Sequence, residues 1–249
     1  MIKFVISPAK NMQDTSDDFI AHNTPVFIDE ANELLNYLKT LSFDELKDVY
    51  KANDKIVLLN QGRLQNMDLE NALSYALFSY QGIQYQYMAP SVLQEDEITY
   101  LQKHLYILSG FYGLLKPFDR IVPYRLEMQA KLRHFKANNL YAYWQDKIYK
   151  EIKKEASIII DLASGEYNKV LKPYIDLPYV TIHFKENENG KLKEKGVYVK
   201  MARGAMIRYC AEHKVESLKA LQKFNELDYQ FDANLSNETD YYFVRSIEK

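Results

Sequence analysis

The sequence predicts one α+β domain (mixed α/β), in which helices surround a central mixed sheet. Two mainly apolar runs, Ile2–Ile6 and 157–162, are typical of buried strands, and the second is continuously apolar between Ser157 and its one charged residue, Asp161. Between them, apolar residues recur at the spacing of one helix face, which indicates helices. No segment rich in Pro, Gly or Ser divides the 249 residues. We therefore predict a single domain over 1–249, with helices predominating in 1–155 and strands in 156–249.

The helix signals are strongest in the first half of the chain. A helix over 30–41 is predicted from leucines on one face, namely Leu34, Leu35, Leu38 and Leu41. Ser42 begins a second helix, because Glu45 three residues later completes a capping box. The remaining predicted helices cover 53–66, 69–79, 94–108, 140–156, about 200–213 and 217–224.

Further strands are predicted in the last third of the chain. A strand over 179–184 is followed by the turn signal Asn187–Gly190, after which 196–199 can return antiparallel to it. A final hairpin is expected to pair 229–231 with 241–247.

The charge of the chain is nearly balanced but unevenly distributed. A formal net charge of −2 gives no global attraction to nucleic acid or to acidic membranes. However, 103–136 hold seven Lys or Arg against two acidic residues, and 185–208 hold seven against three. If these two segments meet in space, they form a basic face. Otherwise they are ordinary solvated surface.

Several classes of protein are disfavoured by composition. The single cysteine, Cys210, cannot form an internal disulfide, which suits the cytoplasm, where we expect the protein to reside. The apolar run at the N-terminus is too short for a signal peptide or a membrane span, so we expect no membrane association. The five histidines are scattered, and neither a P-loop nor Gly-x-Gly-x-x-Gly is present. We therefore expect no metal and no cofactor.

The stretch Leu105–Met128 carries the first candidate site. Its start, 105–108, is interpreted as the end of a helix, and a tight reversal follows. Two glycines in the reversal, Gly110 and Gly113, can leave backbone amides uncovered beside the basic residues Lys116 and Arg125. Uncovered amides next to cations are typical of an anion site. The alternative is a helix that ends at Gly110, followed by an ordinary loop.

A basic helix face is the second candidate. Lys200, Arg203, Gly204 and Arg208 fall within about 140° of one another on a helix that turns 100° per residue. Glycine destabilises a helix interior by about 1 kcal/mol relative to alanine, so its presence in this face requires a reason. Either a ligand approaches closely, or another helix packs there and the bases are solvated.

A polar cleft is the third candidate. Open α/β sheets bind ligands at the carboxyl ends of their strands. If the two apolar strands are parallel neighbours, the residues that follow them share one edge, and the central stretch could join them. The cleft candidates are Ser7, Lys10, Tyr124, Glu127, Ser164, Glu166 and Tyr167. Alternatively, Glu166 only caps the helix that begins near Tyr167 and pairs with a lysine.

Four of these segments together resemble the YaaA peroxide-stress family. They are Ser7-Pro8-Ala9-Lys10, Pro123-Tyr124-Arg125-Leu126-Glu127-Met128, Leu162-Ala163-Ser164-Gly165-Glu166-Tyr167 and Lys200–Arg208. The resemblance extends from Met1 to about Arg245, and the joint occurrence of the segments in order makes it specific. It implies helices wrapped around a central sheet, a role in surviving peroxide and a low level of free intracellular iron.

Members of that family are described as binding DNA through a helix-hairpin-helix motif and a positive cleft. The sequence Leu105-x-x-Leu108-x-Gly110-Phe111-Tyr112-Gly113 looks like such a motif, although its glycines are one residue further apart and Pro117 would disturb the second helix. Our first hypothesis is a cytoplasmic stress protein that binds double- or single-stranded DNA non-specifically. The DNA- or anion-binding candidates are Gly110, Gly113, Lys116, Arg125, Lys200, Arg203 and Arg208.

Two other functional classes remain open. One is an enzyme of unknown reaction that binds a small anionic or nucleotide-like ligand in the cleft, with Glu127 or Glu166 transferring a proton. A raised pKa on one of these carboxyls inside a deep pocket would favour it. The other is an interaction protein whose basic face meets an acidic partner.

Overall fold

Five parallel strands form the middle of the sheet in a computed structural model that describes residues 1–15 and 23–246. The strands are β1 (Ile2–Ile6), β2 (Asn11–Met12), β3 (Ser74–Tyr75), β4 (Tyr80–Gln81), β5 (Leu105–Ser109), β6 (Gly113–Leu115), β7 (Arg120–Ile121), β8 (Ile158–Leu162), β9 (Tyr179–Glu188), β10 (Lys191–Lys193), β11 (Gln230–Phe231) and β12 (Asp240–Ser246). Eight of them form the central sheet, in the order β11-β12-β9-β8-β1-β5-β6 with β10 paired to β9.

The pairing of the strands makes the sheet mixed, as the sequence predicts. β5, β1, β8, β9 and β12 are mutually parallel, whereas β6, β10 and β11 pair antiparallel to their neighbours. The chain places β5 on one side of β1 and later returns to place β8 on the other side. This reversal of strand order creates a crevice beyond the carboxyl ends of β1 and β8.

The helices surround this sheet. They are α1 (Ile28–Thr40), α2 (Phe43–Tyr50), α3 (Asp54–Asn66), α4 (Ala76–Ser79), α5 (Ile83–Met88), α6 (Glu95–His104), α7 (Leu140–Trp144), α8 (Lys147–Lys153), α9 (Gly165–Asn168), α10 (Gly196–Glu212) and α11 (Leu218–Leu221). Among the described residues, no helix is both long enough and apolar enough to cross a membrane.

Local signals in the sequence located several of these elements correctly. The capping box at the start of α2 is present, with the Ser42 amide donating to Glu45 Oε2 at 2.8 Å. The apolar run after 157 forms β8, and its residues from Ile159 to Leu162 are at most 1% exposed, so both faces are covered. The final hairpin is also confirmed as β11 and β12, although Ile247 lies outside the described residues.

The helix predicted over 94–108 is too long, and this error matters most for function. The helix ends at His104, and Leu105–Ser109 continues directly as β5. Leu105 and Leu108 match the helical spacing, but every residue of 105–109 is apolar or small and wholly buried beside β1. Pairing with β1 therefore outweighs the periodicity.

Other boundaries also differ from the predictions. The helix predicted over 69–79 is reduced to α4, because Ser74–Tyr75 pairs with β7. The antiparallel return after Gly190 is Lys191–Lys193, whereas 196–199 begins α10. The helix predicted over 140–156 is two helices, separated at Gln145, which has a φ of 48°.

Candidate functional site

The turn that contains Gly110 joins two antiparallel strands, β5 and β6, so the predicted helix-hairpin-helix is wrong. Gly110 and Gly113 are buried. The amides of Phe111 and Tyr112 donate to Ser109 Oγ at 3.2 and 2.9 Å. The Gly110 carbonyl accepts a hydrogen bond from Trp144 Nε1 at 3.0 Å. These groups are satisfied inside the protein and are not presented to an anion.

Close packing explains both glycines. A Cβ on Gly110 would lie 2.4 Å from the carbonyl oxygen of Leu126. Gly113 has a φ of +70°, and a Cβ there would lie 2.8 Å from the Trp144 ring. The first position therefore has no room for a side chain, and the second also has a backbone conformation that favours glycine.

Two of the predicted DNA-binding cations lie away from the cleft. Lys116 Nζ contacts Glu155 Oε1 at 3.0 Å, and the same carboxylate contacts the buried Lys3 at 2.6 Å. Arg208 pairs with Glu212 one turn later on α10, with the two charged atoms 2.7 Å apart. Both cations are therefore engaged by carboxylates of the protein.

The cleft predicted from the strand ends does form a cavity of about 490 Å³. This volume falls within the range of about 300–1,000 Å³ in which small-molecule sites occur. It is lined by all seven cleft candidates and by three of the predicted anion-binding residues: Ser7, Lys10, Tyr124, Glu127, Ser164, Glu166 and Tyr167, with Arg125, Lys200 and Arg203. The two basic segments of the sequence therefore meet at this cavity.

The base of the cavity follows from the parallel register of β1 and β8. Ile6 is paired with Leu162, so the next residues of both strands emerge side by side. The Ser164 amide donates to Ser7 Oγ at 2.8 Å, and the two serine hydroxyl oxygens are 3.3 Å apart. The strands thus deliver a pair of hydroxyl groups to the crevice.

Glu127 joins two segments of the wall. One of its carboxylate oxygens contacts Lys10 Nζ at 2.8 Å, and the other accepts a hydrogen bond from Arg125 Nη2 at 2.7 Å. The side chains of Glu127 and Arg125 are only 13% and 10% exposed, whereas that of Lys10 is 63% exposed. Glu127 therefore links Lys10 and Arg125 across the wall through two charge-assisted contacts.

Glu166 is in a different electrostatic situation. It lies within the short helix α9, and its Oε1 accepts a hydrogen bond from the Gln129 amide at 3.3 Å. Burial raises the pKa of Glu166, and the nearby charge of Glu127 raises it further, whereas Lys10 lowers it. The alternative interpretation was that Glu166 caps this helix and pairs with a lysine. Among the described residues, Glu166 forms no salt bridge with a lysine. A carboxyl group in this position can exchange a proton with a ligand.

Three buried nitrogen atoms of the cavity wall are left without a hydrogen-bond partner in the described part of the chain. They are Arg125 Nε, Arg203 Nε and Gln84 Nε2. Buried N–H groups are nearly always paired in folded proteins, because an unpaired one costs about 1–3 kcal/mol. The three donors therefore indicate a place for a ligand rich in acceptors.

Gln84 was missed by sequence reasoning, and its position depends on the packing of α5 on α10. A Cβ on Gly204 would lie 2.0 Å from the Gln84 carbonyl oxygen, so this glycine permits the two helices to touch. The packing explanation for Gly204 is thus confirmed. The sequence signal for it was weak, because Gln84 is one of two glutamines in the tyrosine-containing segment 82–90.

Asp161 was visible in the sequence as the one charged residue of an apolar strand, but its role was not assigned. It is 1% exposed and accepts hydrogen bonds from the Ala163 amide and from Asn168 Nδ2, both at 2.8 Å. Burial raises the pKa of Asp161, while Asn168 and the charge of Arg203 lower it. Asp161 therefore helps to hold the Arg203 guanidinium electrostatically.

Tyrosine rings and aliphatic side chains form the apolar part of the wall. Tyr85 donates its hydroxyl to the Ser7 carbonyl at 3.1 Å. The Tyr124 hydroxyl lies 2.7 Å from Ser109 Oγ and 2.8 Å from the Tyr80 hydroxyl, and burial raises its pKa to about 12. These hydroxyls are used by the protein, so the rings present mainly apolar surface to the cavity.

The residues of the cavity can therefore bind an anion and exchange a proton with it. Arg203 and Lys200 bring positive charge to the lining, and Glu166 brings a carboxyl group whose pKa is raised by burial. Within residues 1–15 and 23–246, no group of three or more His, Cys, Asp or Glu side chains is arranged to hold a metal ion.

Comparison with known proteins gives a consistent result over nearly the whole chain. The family described as "Peroxide stress protein YaaA" matches residues 2–235. A UPF0246 protein of Agathobacter rectalis is 47% identical, with 99% of this chain and 100% of that protein covered. A UPF0246 protein of Lachnoclostridium phytofermentans is 46% identical over 98% of this chain and 96% of its own length.

Proposed function

The chain belongs to the peroxide stress protein YaaA family, and from this premise we propose that it acts on a small anionic molecule bound in the cavity at the ends of β1 and β8. The observation that carries the proposal is a set of three buried N–H groups in one wall, on Arg125, Arg203 and Gln84, that have no partner among the residues the structure describes. An anionic ligand would supply the missing acceptors.

The charges around the cavity support the same ligand class. Lys200 is exposed, and neither it nor Arg203 forms a salt bridge within the described residues. In contrast, Lys10 and Arg125 are neutralised in part by Glu127. An excess of positive charge in a partly buried cavity stabilises a bound anion more than the same charge on an open surface.

Glu166 is the residue that could transfer a proton to or from the bound molecule. Its pKa is raised by burial, so part of the population holds a proton at a pH where an ordinary carboxyl group is ionised. Glu127 is instead bound to two cations of the wall. The proposed enzyme therefore uses Glu166 as its proton-transfer group, while Arg203 and Lys200 bind the substrate.

The test is anion binding by matched variants of α10. We expect Arg203→Gln to weaken the binding of inorganic phosphate or pyrophosphate by at least about tenfold, because a charge-assisted hydrogen bond contributes about 1.5–3 kcal/mol. Arg208→Gln is the control, because Arg208 lies on the same helix but pairs with Glu212 outside the cavity. Equal binding by wild type and Arg203→Gln, measured by calorimetry at low salt, would refute the proposal.

Non-specific DNA binding is a second candidate, and one observation favours it. Arg125, Lys200 and Arg203 come from the two basic segments and line one cavity, so a phosphate backbone could follow that surface in the cytoplasm. The logarithm of the affinity should then fall with the logarithm of salt concentration by about 0.9 per phosphate contacted in duplex DNA. An acidic protein partner would use the same charges.

The two candidates predict different variant effects. A phosphate backbone extends beyond the cavity, so DNA binding should weaken in both Arg203→Ala and Arg208→Ala. Binding of a small anion should weaken only in Arg203→Ala. A salt titration with short duplex and single-stranded DNA separates these outcomes. In the cell, we propose that replacement of Arg203 raises both the sensitivity to peroxide and the level of free iron. If the ligand is small, replacement of Arg208 should leave both unchanged.

A further inference from the structure

The cavity contains two groups of charges that differ in how they are balanced. The first group is Lys10, Arg125 and Glu127, in which one carboxylate contacts both cations. The second group is Lys200 and Arg203, which lie three residues apart on one face of α10 and form no salt bridge within the described residues. Asp161 offsets part of the Arg203 charge from a distance, so among the described residues α10 carries the positive charge of the cavity that no carboxylate contacts directly.

The size of that charge favours a phosphate group over a carboxylate. Lys200 and Arg203 supply two positive charges, and the Nε of Arg203 and the Nε2 of Gln84 add unpaired donors. A phosphate monoester carries a charge of about −1.5 to −2 near neutral pH and has three acceptor oxygens. The planar guanidinium of arginine also matches phosphate geometry. A single carboxylate would leave both charge and donors unused.

The rest of the wall favours a planar ring attached to that phosphate. Ile83, Leu126 and the rings of Tyr85 and Tyr167 line the same cavity. The Tyr85 hydroxyl is already engaged by the Ser7 carbonyl, so its ring contributes apolar contact. Planar aromatic groups pack well against such rings.

Polar groups interrupt this apolar wall at a few defined points. The hydroxyls of Ser7 and Ser164 and the carboxyl group of Glu166 all line the cavity. They can bond the polar edge of a heterocycle or the hydroxyl groups of a sugar, while the ring faces pack against apolar side chains. A nucleobase with its ribose has this combination of an apolar face and a polar edge.

Resting on the proposed function, we infer that the anion is a nucleoside monophosphate, with its phosphate at Lys200, Arg203 and Gln84 and its base against the tyrosine-lined wall. The inference specifies the substrate class of the cavity. It assigns Arg203 to phosphate recognition and Ile83 to recognition of the base.

The experiment compares four sets of probes by calorimetry at low salt: the four ribonucleoside 5′-monophosphates, their nucleosides, ribose 5-phosphate and inorganic phosphate. We expect at least one nucleotide to bind about tenfold more tightly than both its nucleoside and ribose 5-phosphate. Arg203→Gln should remove the advantage of the nucleotide over its nucleoside. Ile83→Ser should remove the advantage of the nucleotide over ribose 5-phosphate, and circular dichroism should show that both variants fold.

The outcomes separate the inference from the proposal on which it rests. If ribose 5-phosphate or inorganic phosphate binds as tightly as every nucleotide, and Arg203→Gln weakens both, the nucleotide class is wrong and the anion site stands. If none of these probes binds but pyrophosphate or a small carboxylate does, the class is again wrong. If no anion binds to the wild type, both the inference and the proposed function fail. Nucleosides that bind as tightly as nucleotides, with no effect of Arg203→Gln, would also refute both.

Discussion

The β5–β6 hairpin and the cavity at the ends of β1 and β8 contain similar residue types but differ in how their polar groups are paired. In the hairpin, Ser109 and Trp144 occupy the polar groups of the turn, and Glu155 engages Lys116. In the cavity, the side chains of Arg203 and Gln84 retain buried donors that have no partner within residues 1–15 and 23–246. Glycine and basic residues in a sequence are therefore weak indicators of an anion site, because the protein itself can satisfy their polar groups.

The largest expected effect is on stability, and it tests whether the glycines of the hairpin serve close packing. In Gly110→Ala, the new methyl group would meet backbone atoms of the segment Leu126–Met128, the nearest at 2.4 Å. Backbone cannot move aside as a flexible side chain can, so we expect a loss of about 3 kcal/mol in the free energy of unfolding, or failure to fold. Urea unfolding followed by circular dichroism measures this change.

A matched control shows that the effect is local. Gly62 lies within α3, and a Cβ there would have nothing within 4 Å. Gly62→Ala should stabilise the protein by about 0.5–1 kcal/mol, because alanine is the better helix former. If Gly110→Ala has wild-type stability and instead loses anion binding, the comparison between hairpin and cavity is wrong.

The next effect concerns the buried carboxyl group beside the hairpin. Asp119 accepts a hydrogen bond from the Lys116 amide at 2.8 Å, and burial raises its pKa from 3.8 to about 7. The folded state therefore binds this proton more tightly than the unfolded state, so the free energy of unfolding falls as the pH rises from 3.8 to about 7. Asp119→Asn removes the charge and retains an acceptor.

We expect Asp119→Asn to be more stable than the wild type at about pH 8, by roughly 1–4 kcal/mol, since each pKa unit corresponds to about 1.4 kcal/mol. The difference should shrink steadily as the pH is lowered from about 7, and it should vanish below 3.8, where the wild-type carboxyl group is protonated in both states. Urea unfolding at several pH values measures it. A stability difference that does not change with pH would contradict this assignment.

The smallest expected effect concerns the carboxyl group of the cavity. Burial and the charge of Glu127 raise the pKa of Glu166, so its ionised form is disfavoured in the folded state. At pH values above the range in which ordinary carboxyl groups titrate, Glu166→Gln should therefore raise the melting temperature slightly. The gain in the free energy of unfolding should be below about 1 kcal/mol, because the side chain is partly exposed to solvent. Below that range, variant and wild type should converge.

Glu212→Gln is the matched control for Glu166→Gln. Glu212 accepts a hydrogen bond from Arg208 on the outer surface of α10, so removing its charge should lower the stability slightly or leave it unchanged. A Glu166→Gln variant that is less stable than the wild type at neutral pH would show that the Glu166 carboxylate is needed by the fold. The proton-transfer role would then be unsupported.

Much of the site could be predicted from the sequence because parallel strands end at one edge. Ser7 and Ser164 follow two apolar runs, and any fold that pairs those runs in parallel brings the two serines together. The capping box at Ser42 was also predictable, because it depends on residues only three positions apart. Local and periodic signals of this kind survive in the folded protein.

The remaining features depend on contacts between distant segments. The run 105–109 satisfies a helical spacing, and only its partner β1 makes it a strand. Gln84 reaches the cavity because Gly204 lets α5 touch α10. In the sequence, 119 residues lie between Gln84 and Gly204. Periodicity within one segment contains no information on such contacts.

Local pattern and motif order are enough to predict the mixed α/β class, the family and the residues that could form a cleft. Which polar groups find a partner among the described residues, and which do not, follows only from the contacts of the folded chain. The glycines of the hairpin are buried against Leu126 and Trp144, while Arg203 keeps a free donor in the cavity. The physical reason is that hydrogen-bond satisfaction depends on every neighbour in space, most of which are distant in the chain.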